Sequence, residues 1–316
     1  MSQLRPQHGD APAQVKRRGV AGRRRQRAVQ LAFLLPAAVY LVPFFGFPVV
    51  KNILMGFQHY TTKTFFTGSA PWAGWANYAT VIHASVFRRT VVDTVLFTVG
   101  SIVGQFLIGL AIACFFNRRF PFSGVLRSLL LLPWLIPLIA SSAVWRWILD
   151  QDNGALNRFL GSVHLSHGHL GWLTGTSLAL VAVIMVNIWI GIPFNTALLF
   201  GGLRNIPQEL YDAADLDGAT GWRGFRYITW PLLRPVINVT LVLGVVYTLK
   251  VLDLILGLTG GGPANATQTL ATESYHLSFV HFDFGAGAAM SNILIAVSLV
   301  FAFIYLHAIR RGSEET

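Results

Sequence analysis

The residues able to do chemistry in this chain are polar groups set in apolar sequence. Asn187 stands in Asn187-Ile188-Trp189-Ile190-Gly191-Ile192-Pro193-Phe194, and Tyr247, Lys250 and Asp253 stand in a second apolar run. An amide or ionisable group at membrane depth faces a pathway or another polar group, because hydrocarbon offers it no partner. Gly191 lies one turn after Asn187 on the same helical face and Pro193 breaks the helix beyond, which makes a groove with a polar tip. Lys250 and Asp253 are three apart, so they share a face and, paired, offer donors and acceptors without net charge. Trp134, in Leu132-Pro133-Trp134-Leu135-Ile136-Pro137, adds a flat ring face beside backbone that two prolines must interrupt. The chemistry these types support is recognition of hydroxyls. Two positions keep two readings each: Asn187 lines a pocket or joins two helices by a hydrogen bond, and Trp134 contacts a solute or packs.

Bond-breaking chemistry finds no such support. The chain has no HExxH, Ser/His/Asp or paired-carboxylate constellation at a consistent depth, so it is not expected to be an enzyme. GxxxxGK[ST] is absent, and the glycines before Pro263 follow an apolar run rather than a strand, so no nucleotide is expected on this chain. His164, His167 and His169 lie in a Gly/Ser-rich loop whose spacing does not carry a zinc assignment, and no metal is expected. The single cysteine, Cys114, excludes an internal disulfide and any multi-cysteine metal site.

The elements that must position these groups are membrane helices. Charged residues make up only 12% of the 316, about half the usual share for a soluble domain, and 53% are hydrophobic. Six stretches are long enough to cross: Val29–Val50, Val91–Phe115, Leu126–Leu149, Leu178–Gly202, Val236–Leu258 and Gly285–Ala308. The expected fold is an all-α integral membrane protein with a six-helix transmembrane domain over 29–308. A basic disordered tail over 1–28 precedes it and a short tail over 309–316 follows. Six spans put both termini on one side. The formal charge of +11 is carried mainly there: seventeen Lys and Arg fall in the termini and the loops of that side, against six in the opposite loops. By the positive-inside rule that side is the cytoplasm. Orientation and contact with anionic lipid account for the basic tail, so no nucleic-acid partner is expected. Gly100 and Gly104 form a GxxxG in the second span, and Gly285/Ala289 and Gly287/Ser291 repeat the small-residue spacing in the last, both signals of close helix approach. The aromatic-rich stretch 58–89, with Trp72 and Trp75, reads as an interfacial segment or as a contact for a solute-delivery protein.

Between the fourth and fifth spans lies a polar loop, 204–235, which must sit in water. Pro207 opens a helix in it, and Glu209, Asp212, Asp215 and Asp217 make that helix acidic. Leu210, Ala213 and Ala214 give it a small apolar face, and Gly218 ends it in a left-handed conformation. Thr220 is the expected N-cap of a second short helix with Trp222, Phe225 and Ile228, ended by Pro231 and Pro235. Two short helices bent at a glycine make a knuckle suited to docking.

This loop resembles that of the permease subunits of binding-protein-dependent ABC importers, in particular the maltose-type sugar permeases. Their loop reads Glu-Ala-Ala, three residues, Gly, then an Ile-x-Leu-Pro ending. Asp212, Ala213, Ala214, Gly218, Ile228 and Pro231 fall in that register, with Asp212 for the usual Glu and Trp230 for the usual Leu. Asn187–Phe194 matches the family's Asn-x-Trp-x-Gly-x-Pro-aromatic segment, and Leu258-Thr259-x-Gly261-Gly262-Pro263 its turn after the fifth span. The resemblance runs from about Val29 to the end. It implies that Glu209, Asp212, Ala213, Ala214, Asp217, Gly218, Trp222, Phe225, Ile228 and Pro231 form the coupling helix and its surroundings. It assigns Trp134, Asn187, Trp189, Gly191, Tyr247, Lys250 and Asp253 to the solute pathway. Implied partners are a second permease subunit, two ATPase subunits that carry the ATP and Mg, an extracytoplasmic solute-binding protein, and lipid of the bacterial cytoplasmic membrane. The rival reading is an ion-driven carrier with Asp93, Lys250 and Asp253 as relay groups. The solute itself is not named by these residues: a neutral carbohydrate fits, and a glycerol phosphate ester is not separated from it.

Overall fold

The computed structural model describes residues 20–118, 120–165 and 169–314, so the expectations that fall on residues 1–19, on Arg119 and on His167 lie outside the described residues. Two compact units are distinguished, 1–52 and 53–316. In the first, α1 (Val20–Leu41) passes through a π turn at Val42–Gly46 into α2 (Phe47–Met55). The helix therefore starts inside the stretch expected to be disordered. Val20–Arg27 has no proline and four Arg with one Ala and one Gln, good helix formers that outweigh Gly22 and extend the apolar helix by about two turns. Pro43 lies at the start of the π segment, inside a continuous helix. No residue from Ala32 to Met55 is buried, as suits a helix whose solvent is lipid.

The second unit is helical, with no strand among the described residues. After α3 (Thr62–Thr67) and α4 (Ala76–His83) comes α5 (Phe87–Phe116), a 30-residue helix that packs along α10 (Ala179–Arg204). The glycine spacing makes this possible: a Cβ on Gly104 would overlap Ile188, and one on Gly100 would crowd Ile184. The GxxxG is thus a real close approach between these two helices.

The third expected span is not straight. α6 (Ser123–Leu130) and α7 (Leu132–Leu135) meet α8 (Leu138–Ile148) at a bend of 95°. Ile136 is extended and Pro137 caps α8, which is where the second proline removes a helix hydrogen bond. Among the described residues, five helices are long and apolar enough to cross a membrane, and six if this bent pair is one span. α9 (Ala155–Ser162) follows.

Past α10, α11 (Gln208–Leu216) leads to α12 (Trp222–Gly224), a π segment Phe225–Thr229 and α13 (Trp230–Leu249). These last three form one helix of 28 residues, Trp222–Leu249, so the expected stop at Pro231 and Pro235 does not occur. The π segment explains it. Its wider turn, with the Trp230 N–H bonded to the Phe225 carbonyl, relieves the clash a proline makes with the preceding turn.

At its other end the fifth span stops at Leu249, earlier than expected. Lys250 caps it, Val251 and Leu252 are non-helical, and α14 (Asp253–Leu258) starts anew. α15 (Leu270–Tyr275), a π segment His276–Val280 and α16 (Phe284–Glu314) complete the chain, and α16 carries the expected C-terminal tail as helix to Glu314. Three buried clusters hold the unit. One joins Phe97, Leu149, Val183, Val186 and Leu254, a second Leu110, Leu199, Leu203 and Leu233, and a third Val81, Leu270, Ala289 and Met290. Each draws on helices distant in sequence, which fixes α5, α10, α13 and α14 around the space between them.

Candidate functional site

That space is a cavity of about 410 Å³ walled by α5, α7, α8, α10 and the break after α13. Trp134, Asn187, Gly191, Tyr247, Lys250 and Asp253 all line it, so six of the seven residues expected on a solute pathway are gathered in one place. Trp189 is the exception. Its ring lies 5.4 Å from that of Trp145, edge to face, against the cluster of Phe97, Val183 and Val186, because two positions past Asn187 on a helix points to another side.

The Lys250–Asp253 pairing expected from helical spacing is corrected as well. The two residues stand on opposite sides of the Val251–Leu252 break and share no helical face, and no ion pair joins them among the described residues. Lys250 Nζ instead sits 4.8 Å over the Tyr247 ring, a cation–π contact. Asp93 does not line the cavity; Arg89, one turn away, pairs with it at 3.5 Å.

Three aromatic rings form one wall. Trp134 stacks on Phe194 at 6.1 Å, and Phe194 meets Tyr247 edge to face at 5.9 Å. Asn187 is 6% exposed and its Nδ2 has no protein partner, which costs about 1–3 kcal/mol unless something else accepts from it. Gln105, overlooked at the sequence level, reaches across from α5, donates to the Asn187 backbone carbonyl at 3.0 Å and accepts weakly from Asn195 at 3.4 Å. A lone glutamine in an apolar run was the signal for it, the same one that marked Asn187.

The polar loop is a second candidate surface. Pro207 caps α11, Asp217 ends it and Gly218 takes φ +70°, as expected. The second arm is capped by Gly221 (φ +56°) and not by Thr220, whose side chain makes no cap bond there. Tyr211 and Thr229 hydroxyls, 2.9 Å apart, tie the two arms together, and Trp222 stacks on Phe225 at 5.3 Å. Glu209, Asp212, Ala213, Asp217 and Gly218 face solvent; Ala214, Phe225, Ile228 and Pro231 are half-buried. Large apolar groups are also exposed: Leu216 at 91% and Trp222 at 74%. Leu216 was not singled out from the sequence, since it lies off the face shared by Leu210 and Ala214. His169 and Asp152, exposed in the other loop, approach to 3.5 Å.

Comparison with known proteins gives these surfaces a context. Residues 105–313 match the family described as "binding-protein-dependent transport system inner membrane component". The trehalose/maltose transport system permease protein of Thermococcus litoralis is 35% identical over 285 residues, 89% of this chain and 94% of that one. The diacetylchitobiose uptake system permease protein of Streptomyces coelicolor is 32% identical, over 94% of this chain and 92% of its own length. A solved bacterial ABC transporter for import of the acidic polysaccharide alginate has a similar fold: TM-score 0.78 at 23% identity, covering 91% of this chain and 96% of that one.

Proposed function

The chain belongs to the binding-protein-dependent transport system inner membrane component family and is the permease subunit of an ABC importer, and from that premise we propose that its cavity passes a neutral carbohydrate. It is a multi-pass membrane protein and a transport subunit, not an enzyme. Amides, a phenol and an aromatic wall suit sugar: ring C–H faces lie on the aromatic rings while hydroxyls bond Asn187, Tyr247 and Asp253. The relatives named for trehalose/maltose and for diacetylchitobiose support that class. Lys250, already over the Tyr247 ring, is the one basic side chain in the lining, which favours an uncharged solute over a phosphate ester.

The observation that carries the mechanism is the 28-residue helix Trp222–Leu249. One end is the polar loop and the other is Tyr247 at the cavity wall. A helix of that length spans about 42 Å, enough to join the loop to the cavity wall in one element. In this reading the loop lies in the cytoplasm, docks in a cleft of a separate ATPase subunit, and passes the ATPase's closure along the helix to the cavity. Both termini then lie on the loop's side, the bent pair α6–α8 counts as one span, and a second permease subunit supplies the other half of the pathway. A solute-binding protein delivers from outside, as the solved alginate importer's complex with a periplasmic protein supports by analogy of fold. ATP on the partner can shift the two-state pathway only as far as it binds one state better than the other.

The test is uptake of labelled maltose and trehalose into vesicles carrying the assembled importer. Uptake that needs ATP and survives an uncoupler is expected. Uptake abolished by the uncoupler with ATP present would mean an ion-driven carrier.

A further inference from the structure

We propose that Gln105 is a specificity-determining residue of the cavity, and that Gly191 is a glycine because the Gln105 carboxamide lies across it. The inference rests on the carbohydrate reading above. Gln105 is 6% exposed and lines the cavity from α5, a helix with no other residue in that lining. A Cβ on Gly191 would overlap the Gln105 amide at its carbon, oxygen and nitrogen together. Gly191 therefore presents little of itself to a solute; it provides the floor on which an amide from another helix rests.

The hydrogen bonds set which atoms of that amide remain available. Nε2 donates to the Asn187 backbone carbonyl at 3.0 Å, which fixes the plane of the group. Oε1 receives only the long 3.4 Å bond from Asn195, whose Nδ2 is better placed on the Gly191 carbonyl at 3.0 Å. Oε1 thus keeps accepting capacity. Asn187 Nδ2, on the same cavity, is a buried donor without a partner. An acceptor and a donor in one cavity lining are what a hydroxyl needs, since it donates one hydrogen and accepts another. The pair reads a free hydroxyl and leaves an ether, a methylated or a deoxygenated position with one buried group unpaired. Sites built this way reject the analogue strongly, because the unpaired group bears its full desolvation cost.

The experiment measures KM and maximal rate for maltose and trehalose uptake by the assembled importer in vesicles, for wild type, Gln105→Leu, Gln105→Ala, Gly191→Ala, Asn187→Ala and the double variant Gln105→Ala/Gly191→Ala. Expected is a KM raised about tenfold by Gln105→Leu, with the assembled complex recovered in normal yield. Gly191→Ala matches it, and the double variant is no worse than Gly191→Ala alone, because the glycine acts through the glutamine. A KM unchanged in Gln105→Leu while Asn187→Ala raises it overturns the inference and leaves the carbohydrate reading intact. Lost assembly or a lowered maximal rate at unchanged KM overturns it in favour of a helix-joining role. Additive effects of the two single changes break the link to Gly191. Wild-type uptake of neither sugar removes the carbohydrate reading and the inference with it; a KM insensitive to both Gln105 and Asn187, in an importer that takes up either sugar, overturns the inference alone.

Discussion

The two turns that flank the fifth membrane helix are built on opposite plans. The turn after it, Thr259–Thr272, is closed on itself. Thr267, Gln268, Thr269 and Thr272 are almost fully buried. The Thr259 and Thr267 hydroxyls meet at 2.7 Å, Thr267 donates to the Gly262 carbonyl, Gln268 donates to Glu273 at 2.6 Å, and the Leu270 N–H reaches back to Thr94 on α5 at 2.9 Å. The loop before it, 205–229, holds its arms with few side-chain bonds, among them Tyr211–Thr229, and leaves Leu216 and Trp222 in the open beside four carboxylates. Both segments match family patterns in sequence, yet one uses its polar groups in its own fold and the other exposes apolar groups that none of the described residues covers. Exposed Leu and Trp on a polar loop are what the docking surface proposed above requires.

That contrast can be broken most severely at Gly261. It has φ +88° and a Cβ there would overlap Gln268, so Gly261→Val combines backbone strain with a clash and should prevent accumulation of folded protein, measured by yield from detergent extraction. Close behind comes the opposite kind of loss. Trp222→Ala combined with Leu216→Ala should leave the melting temperature in detergent within about two degrees while ATPase co-purification falls about a hundredfold, in the range of a lost interface hot spot. Reduced stability with retained ATPase would make the loop structural and erase the comparison.

Gly218→Asp is more graded. No atom lies within 4 Å of a Cβ placed there, so only the positive φ costs anything within this chain, and Asp tolerates that conformation better than most residues. The stability change should stay near 1 kcal/mol, while transport drops several-fold because the new carboxylate faces the docking side. Smallest of the four is Gln268→Glu in the closed turn. Replacing the amide that donates to Glu273 with a like charge should lower the melting temperature by a few degrees without touching KM.

Much of this architecture was legible in the residues. Hydropathy located every crossing helix to within a few positions except where a helix crosses a proline or ends at a charge. Pro207, Gly218 and the acidic helix between them follow from local preferences alone, and the structure keeps them. What escaped is what depends on distant partners. Pro133 and Pro137 announce an interruption in the third span, but the 95° size of the bend depends on its neighbours, and the continuity of Trp222–Leu249 through Pro231 and Pro235 needs a π turn that no residue type announces. Lys250 and Asp253 looked paired only under the assumption of an unbroken helix. Trp189, two residues from Asn187, matched a pattern but faces the core. Gln105 meets the Asn187 carbonyl and the Gly191 backbone across more than eighty residues, and that meeting is set by how Gly100 and Gly104 let α5 and α10 approach.

The central claim, that the loop 205–229 receives force from a separate ATPase and hands it to the cavity along one helix, is tested most directly by cross-linking. Leu216→Cys in a Cys114→Ser background places a single thiol at the most exposed apolar point of the loop. In the importer assembled with its ATPase, a short bifunctional maleimide should join this thiol to the ATPase subunit, with a yield that changes when ATP is added. Labelling by a membrane-impermeant maleimide from outside intact cells, or a thiol that cross-links to no ATPase with or without ATP, would contradict it.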